Sequence, residues 1–303
     1  MLHKTGGGLG SLGRAVASVG GAYLGLPDMD PADLVREARA MGVRALEVRH
    51  RDVGFLRDLP ELEFISFNGD PIDARAVESL PALRGLGFSG TWGGTIDLSR
   101  LHNLEWFSVA ECPKKGGIDS LLAGHPRIRD LRIGRFARAD LRGLGGLVAL
   151  EYLEIFQSRS LRSLEGAEEI GNHLRSLELA GCPALESLKG LEALPHLVHL
   201  ELDACRQVTD IGPVAALREL RFLDMLGLAR VDSLAPLAEH PSLELLIAPQ
   251  RVADGGALPE LPALRSVWGP QRFTRALPPE TSQYAYLPRD HPFVLEMERL
   301  RRG

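Results

Sequence analysis

The amino-acid sequence predicts an α/β repeat solenoid, with short strands stacked into a parallel sheet on one face and 3₁₀ or short helical returns on the other. Three observations carry this. A frame of apolar residues, LxxLxLxx and then a small residue, recurs every 19 to 24 residues over eleven units. Its fourth and sixth positions are apolar and alternate with outward-pointing ones, the period of two that a strand requires. Beyond the frame the apolar period becomes three, which suits a tight return segment.

The frame is clearest in Leu174-Arg175-Ser176-Leu177-Glu178-Leu179-Ala180-Gly181-Cys182 and, 23 residues on, Leu197-Val198-His199-Leu200-Glu201-Leu202-Asp203-Ala204-Cys205. Earlier units start at Val43, Leu62, Leu83, Leu104, Ile128 and Leu150, later ones at Leu220, Leu243 and Leu264. Leu153 and Ile155, Leu177 and Leu179, and Leu200 and Leu202 are thus expected to face the interior. Leu185, Leu188, Leu191 and Leu194 supply the period-three return. Proline stands two residues before the frame at Pro60, Pro81, Pro126, Pro195, Pro241 and Pro262, where it ends the return without removing a ladder amide. One unit cannot bury its own leucines, so neighbours must stack into one core.

These residues resemble the leucine-rich-repeat family over about residues 43–270. The short units, with apolar residues every three on the return, look most like the internalin and protein-phosphatase-regulator class. The resemblance implies a right-handed solenoid curved into a horseshoe, with a parallel sheet on the concave face and 3₁₀ or short helical returns on the convex face. This fold serves many partners, so function has to be argued from the presented residues.

Residues 1–42 are expected to form an N-terminal segment and a capping helix. Asp30-Pro31-Ala32-Asp33 has an N-cap and a proline at the first helical position, and Leu34, Val35, Ala38 and Met41 form an apolar stripe. Towards the other end the frame decays, with Ala248 and Gly269 where large apolar residues belong. Residues 271–303 are expected to form a C-terminal cap, with a short helix over Phe293–Leu300 closing the last coil.

Composition narrows the function. Net charge is −5, against the basic excess of nucleic-acid binders, so no nucleic-acid partner is expected. Lysine occurs only at Lys4, Lys114, Lys115 and Lys189 while arginine is abundant, which suggests GC-rich codons and a bacterial source. No apolar run approaches the length of a membrane span. Ala15-Val16-Ala17 resembles a leader cleavage site. However, Arg14 interrupts the preceding run and glycines dilute it, so a cytoplasmic location is expected.

The three cysteines, Cys112, Cys182 and Cys205, all occupy the ninth frame position, where a small buried polar group pairs with loop backbone. They predict neither a disulfide framework nor a zinc site. His125, His240 and His291 each precede proline, as turn residues do. No nucleophile elbow, P-loop or zinc-protease motif is present. The expectation is a protein that is not an enzyme and has no cofactor.

Positions three, five and seven should present the concave face. Position five reads Glu47, Ser66, Gly87, Ser108, Arg132, Glu154, Glu178, Glu201, Asp224, Ile247 and Trp268. Four successive carboxylates oppose folding by about 1 kcal/mol per neighbouring pair in water. Asp203 at position seven thickens the patch. Position three carries Phe64, Trp106, Tyr152, His199 and Phe222, read as exposed anchors, and Phe156 stands at position seven. Two readings follow: a groove for a basic partner protein, or a solvated face whose glutamates maintain solubility. A competing patch, Arg129, Arg132 and Arg135, either takes an acidic partner or a phosphate, or Arg132 simply neutralises Asp130 and Glu154. The function expected is a monomeric, non-catalytic protein-binding module, with an inhibitor or immunity protein as a specific version. The alternative is an assembly scaffold.

Overall fold

The computed structural model describes residues 3–4, 23–25, 29–69, 73–90, 96–111, 125–170, 172–254 and 258–269. Its backbone divides into two compact units, Met1–Gly134 and Arg135–Gly303. Cys112, His291, residues 271–303 and the expected helix over Phe293–Leu300 lie outside the described residues.

The first unit contains β1 (His3–Lys4), β2 (Tyr23–Gly25), α1 (Pro31–Met41), β3 (Ala45–Val48), β4 (Phe64–Phe67), β5 (Gly85–Phe88), β6 (Trp106–Val109) and β7 (Asp130–Gly134). Helix α1 begins where Asp30 Oδ1 accepts from the backbone N–H of Ala32 at 2.9 Å and Asp33 at 3.3 Å. It stops at Gly42, whose φ of 62° is left-handed. Leu34 and Ala38 are its buried face. Strand β2 pairs parallel to β3 and antiparallel to β1, adding strands ahead of the frame that the sequence does not predict. From β3 to β7 the ladder is parallel and in register, aligning Glu47, Ser66, Gly87, Ser108 and Arg132. Leu46, Ile65, Leu86, Phe107 and Leu131, the fourth-position residues, are buried beneath it.

The second unit contains β8 (Tyr152–Phe156), β9 (Ser176–Ala180), β10 (His199–Asp203), β11 (Phe222–Asp224), β12 (Leu245–Ile247) and β13 (Ser266–Trp268), all parallel. Leu153, Leu177, Leu200, Leu223 and Leu246 form a row with no solvent exposure. The returns contain 3₁₀ turns at Ala167–Glu169, Leu191–Ala193, Gly212–Ala216 and Ala235–Leu237. Leu185, Leu188, Leu191 and Leu194 are buried by this period of three. Gly166 and Gly190 start two of these turns with φ of 92° and 105°, and each N–H is accepted by the glutamate two residues on, Glu168 at 3.1 Å and Glu192 at 3.0 Å.

The prolines act more specifically than expected. Leu62, Leu83, Leu197 and Leu264 donate to the carbonyls of Leu59, Leu80, Leu194 and Leu261. Pro60, Pro81, Pro195 and Pro262 are therefore the second residues of β-turns, where a fixed φ is pre-set. His125 and His240 are buried at the equivalent turns ahead of Pro126 and Pro241.

Burial holds both imidazoles below their ordinary value of 6.5. A depressed folded pKa makes protonation favour unfolding, so their contribution is complete above pH 6.5 and is lost as pH falls towards the folded values. The melting temperature should drop between pH 7 and pH 5, and the His125→Asn, His240→Gln double variant should flatten that drop. Thermal denaturation across the series measures it.

At the ninth position Ser158 Oγ donates to the Phe136 carbonyl at 2.6 Å and accepts from Leu161 N at 3.1 Å. Cys205 Sγ reaches the Leu179 carbonyl at 3.5 Å, and Cys182 Sγ the Ile155 carbonyl at 3.8 Å. Both are buried free thiols. Hydrogen bonding between them lowers the pKa of Cys182 and raises that of Cys205, which burial raises further.

Candidate protein-binding face

The register of β8 to β11 sets Glu154 beside Glu178, Glu178 beside Glu201 and Glu201 beside Asp224. Ile247 and Trp268 continue the column through β12 and β13. All six are partly exposed, as is Phe156, and Asp203 at position seven is exposed. Neighbouring strands are about 4.8 Å apart, so four carboxylates share one line.

Local contacts hold this line in place. Tyr152 Oη donates to Glu178 Oε2 at 2.7 Å and lies 3.3 Å from Glu154 Oε2. The His199 ring lies between two carboxylates, with Nδ1 3.7 Å from Glu178 Oε1 and Nε2 3.9 Å from Glu201 Oε2. Ser176 Oγ is 2.8 Å from Nδ1. Asp224 Oδ1 accepts from Leu226 N at 2.8 Å.

The third position differs from expectation. Phe64, Tyr152, His199 and Phe222 are buried, not exposed anchors, and Trp106 is only partly exposed. The cause is strand spacing: rings at one frame position on adjacent strands lie within stacking distance and cover one another. His199 and Phe222 stack with centroids 4.7 Å apart and planes 1° from parallel. In the first unit the rings of Phe64 and Trp106 meet 5.4 Å apart, with Gly85 on the strand between them. A Cβ on Gly85 would sit 2.4 Å from the Phe64 ring. The Arg84 guanidinium covers Trp106 at 5.1 Å. Trp106 belongs to the first unit, whereas the acidic column belongs to the second.

The arginine patch also divides. Arg132 is buried and paired with Asp130 at 3.2 Å, so it is not presented to a partner. Arg129 is exposed in the first unit. Arg135 lies in the second, where it lines an open cavity of about 700 Å³ with Gln157, Arg159 and Arg206.

A second charged column was missed in the sequence. Position two reads Arg44, Glu63, Arg84, Glu105 and Arg129 in the first unit, then Glu151, Arg175, Val198, Arg221, Glu244 and Arg265 in the second. Within each unit every one of these residues after the first donates its backbone N–H to its predecessor's carbonyl, which aligns the columns. Apart from the neutral Val198 their signs alternate, and neighbours pair at both ends of the column. Glu63 bridges Arg44 and Arg84, Arg84 meets Glu105 at 2.9 Å, and Glu244 meets Arg221 at 2.8 Å and Arg265 at 3.4 Å. Alternating sign at a 19–24-residue interval was the available signal.

No protein-family model matches the chain, and no curated protein sequence does. Among solved structures it is similar to the internalin InlF of Listeria monocytogenes, at 16% identity and a TM-score of 0.51, over 78% of this chain and 81% of that one. It has the leucine-rich-repeat fold. A leucine-rich-repeat protein of Leptospira interrogans gives a TM-score of 0.51 at 13% identity, over 82% of this chain and 73% of that one. A chain of the Drosophila Toll–Spätzle complex gives 0.52 at 13% identity, with 82% of this chain covering 43% of that chain. Among the described residues of the leucine-rich-repeat chain, no helix is long and apolar enough to cross a membrane.

Proposed function

We propose that the chain is a non-catalytic module that binds a protein through the sheet face of its second unit, and that the partner presents a basic surface to it. An inhibitor or immunity protein masking a basic toxin is the specific form of this reading. The observation that carries it is the contrast between two columns of one sheet. Position two sets Glu244 between Arg221 and Arg265 and pairs it with both, whereas position five sets Glu154, Glu178, Glu201 and Asp224 side by side. A like-charged row costs stability, about 1 kcal/mol per neighbouring pair before screening. An incoming basic surface would offset that cost and gain rate from electrostatic steering. The partly exposed Phe156, Ile247 and Trp268 supply apolar contact along the same face.

The test uses the full chain as bait in a native lysate beside two triple variants. Glu154→Lys, Glu178→Lys, Glu201→Lys should abolish capture of the partner that wild type retains, with circular dichroism unchanged. The triple glutamine variant preserves side-chain shape at the half-buried Glu178 and should weaken capture at least tenfold. The captured protein should be basic, and its retention should fall steeply with added salt. Equal capture by all three baits would refute the reading. Self-association of the bait in light scattering would instead favour an assembly scaffold.

A further inference from the structure

We propose that Glu178, His199 and Glu201 form a binding site for one divalent first-row transition-metal ion, with zinc, cobalt or nickel as the fitting class. The inference goes beyond the protein-binding reading and does not depend on it. One donor atom from each of the three residues lies within 4.8 Å of the other two. The set is not a bare acidic cluster, because its centre is an imidazole with no solvent exposure. A hydrocarbon ring at position three would pack against Phe222 as well, as Phe64 packs against Trp106 at the third positions of the first unit. What the histidine adds is two nitrogens, each within 4 Å of a carboxylate oxygen.

The surrounding residues constrain these donors, and to share an ion on Nε2 the Glu178 carboxylate must swing from its present place 3.7 Å from Nδ1. Ser176 Oγ lies 2.8 Å from Nδ1. In the neutral tautomer that donates from Nδ1 to this oxygen, the lone pair is on Nε2, which lies 3.9 Å from Glu201 Oε2. Tyr152 Oη holds Glu178 Oε2 at 2.7 Å, which turns Oε1 towards the ring. Stacking on Phe222 fixes the ring plane.

Ligands about 2.0–2.2 Å from a tetrahedral ion lie roughly 3.3 Å apart, so donors now within 4.8 Å of one another must close in by up to about 1.5 Å. Glu201, 27% exposed at its side chain, has room to make that movement. Three protein ligands leave a fourth position, open on the exposed side of Glu201, for water or an incoming group. Imidazole with carboxylates selects against magnesium and calcium, which prefer all-oxygen shells. The ion's two positive charges would also relieve repulsion along the column.

The experiment uses the chelator-stripped full chain, titrated with Zn²⁺ by calorimetry and with Co²⁺ by visible absorption. One ion per chain is expected, with ligand-field bands of nitrogen and oxygen coordination and a raised melting temperature. Glu201→Gln, at a partly exposed position, should fold normally and weaken Zn²⁺ binding at least tenfold. His199→Gln should abolish the nitrogen-ligated Co²⁺ spectrum. Tyr152→Phe leaves all three ligands in place and should weaken binding by about tenfold, the usual effect of removing a ligand's hydrogen-bonding partner. No uptake at tens of micromolar Zn²⁺ would overturn the proposal in favour of a simple imidazole–carboxylate contact. Uptake unchanged in Glu201→Gln would overturn it by placing the ion elsewhere.

Discussion

Gly190→Ala is expected to destabilise the second unit by about 3 kcal/mol, although it adds one methyl group in a return segment. Two costs combine. Gly190 has a φ of 105°, a conformation L-residues rarely adopt. Its new Cβ would also lie 2.1 Å from the Leu164 carbonyl oxygen and 2.4 Å from its carbon, with no flexible side chain able to yield. The coils could relieve the clash only by separating, and that would break the Leu164 N–H to Lys189 carbonyl bond of 3.0 Å. Gly166 occupies the preceding equivalent turn, and a Cβ there would lie 2.4 Å from Arg142 N. Gly146 provides the control. It lies in the same unit, its Cβ would meet nothing within 4 Å, and Gly146→Ala should stay within about 0.5 kcal/mol of wild type. Denaturant titration distinguishes the two variants. Equal stability would mean the coils are not held at the spacing that requires glycine.

The elements that were legible in the sequence are those decided within one coil. Leu177 and Leu179 alternate with Ser176 and Glu178, so strand identity and the buried row follow from four adjacent residues. Asp30-Pro31 likewise announces α1 locally. What was not legible depends on the residue one coil away. His199 looks exposable in its own strand, yet Phe222 covers it from the next one. Trp106 is likewise decided by Phe64 two strands back and by the missing side chain of Gly85 between them. Arg132 reads as a presented cation until Asp130, two residues before it on the same strand, is seen to take its guanidinium. The Glu178, His199 and Glu201 grouping combines two residues of one strand with one from 21 to 23 positions earlier, so spacing rules for contiguous metal motifs miss it. The alternating column at position two was readable in principle, because its charges follow the repeat as regularly as the leucines do. Strand β2 has no frame of its own and gave no signal.

Leu200→Ala tests the core itself and should cost about 2–5 kcal/mol, the range for emptying a fully buried leucine site that closes only partly. Leu200 has no solvent exposure and is in register with Leu177 on one side and Leu223 on the other. The cavity therefore opens in the middle of the row, and each flanking coil loses packing. In a stack where coils contact only their neighbours, that position matters as much as the lost volume. Leu246, equally buried on β12, has only the described strand β13 beyond it, so Leu246→Ala should loosen β12 and β13 while β8 to β10 keep their protection. Leu200→Ala should instead lower protection on both sides of β10. Hydrogen exchange read strand by strand gives the pattern, and Val148→Ala, at a site 51% exposed, should match wild type. If both leucine variants lowered protection uniformly over β8 to β13, the second unit would be one all-or-none core. Nearest-neighbour stacking could then not explain how the carboxylate column is held in line.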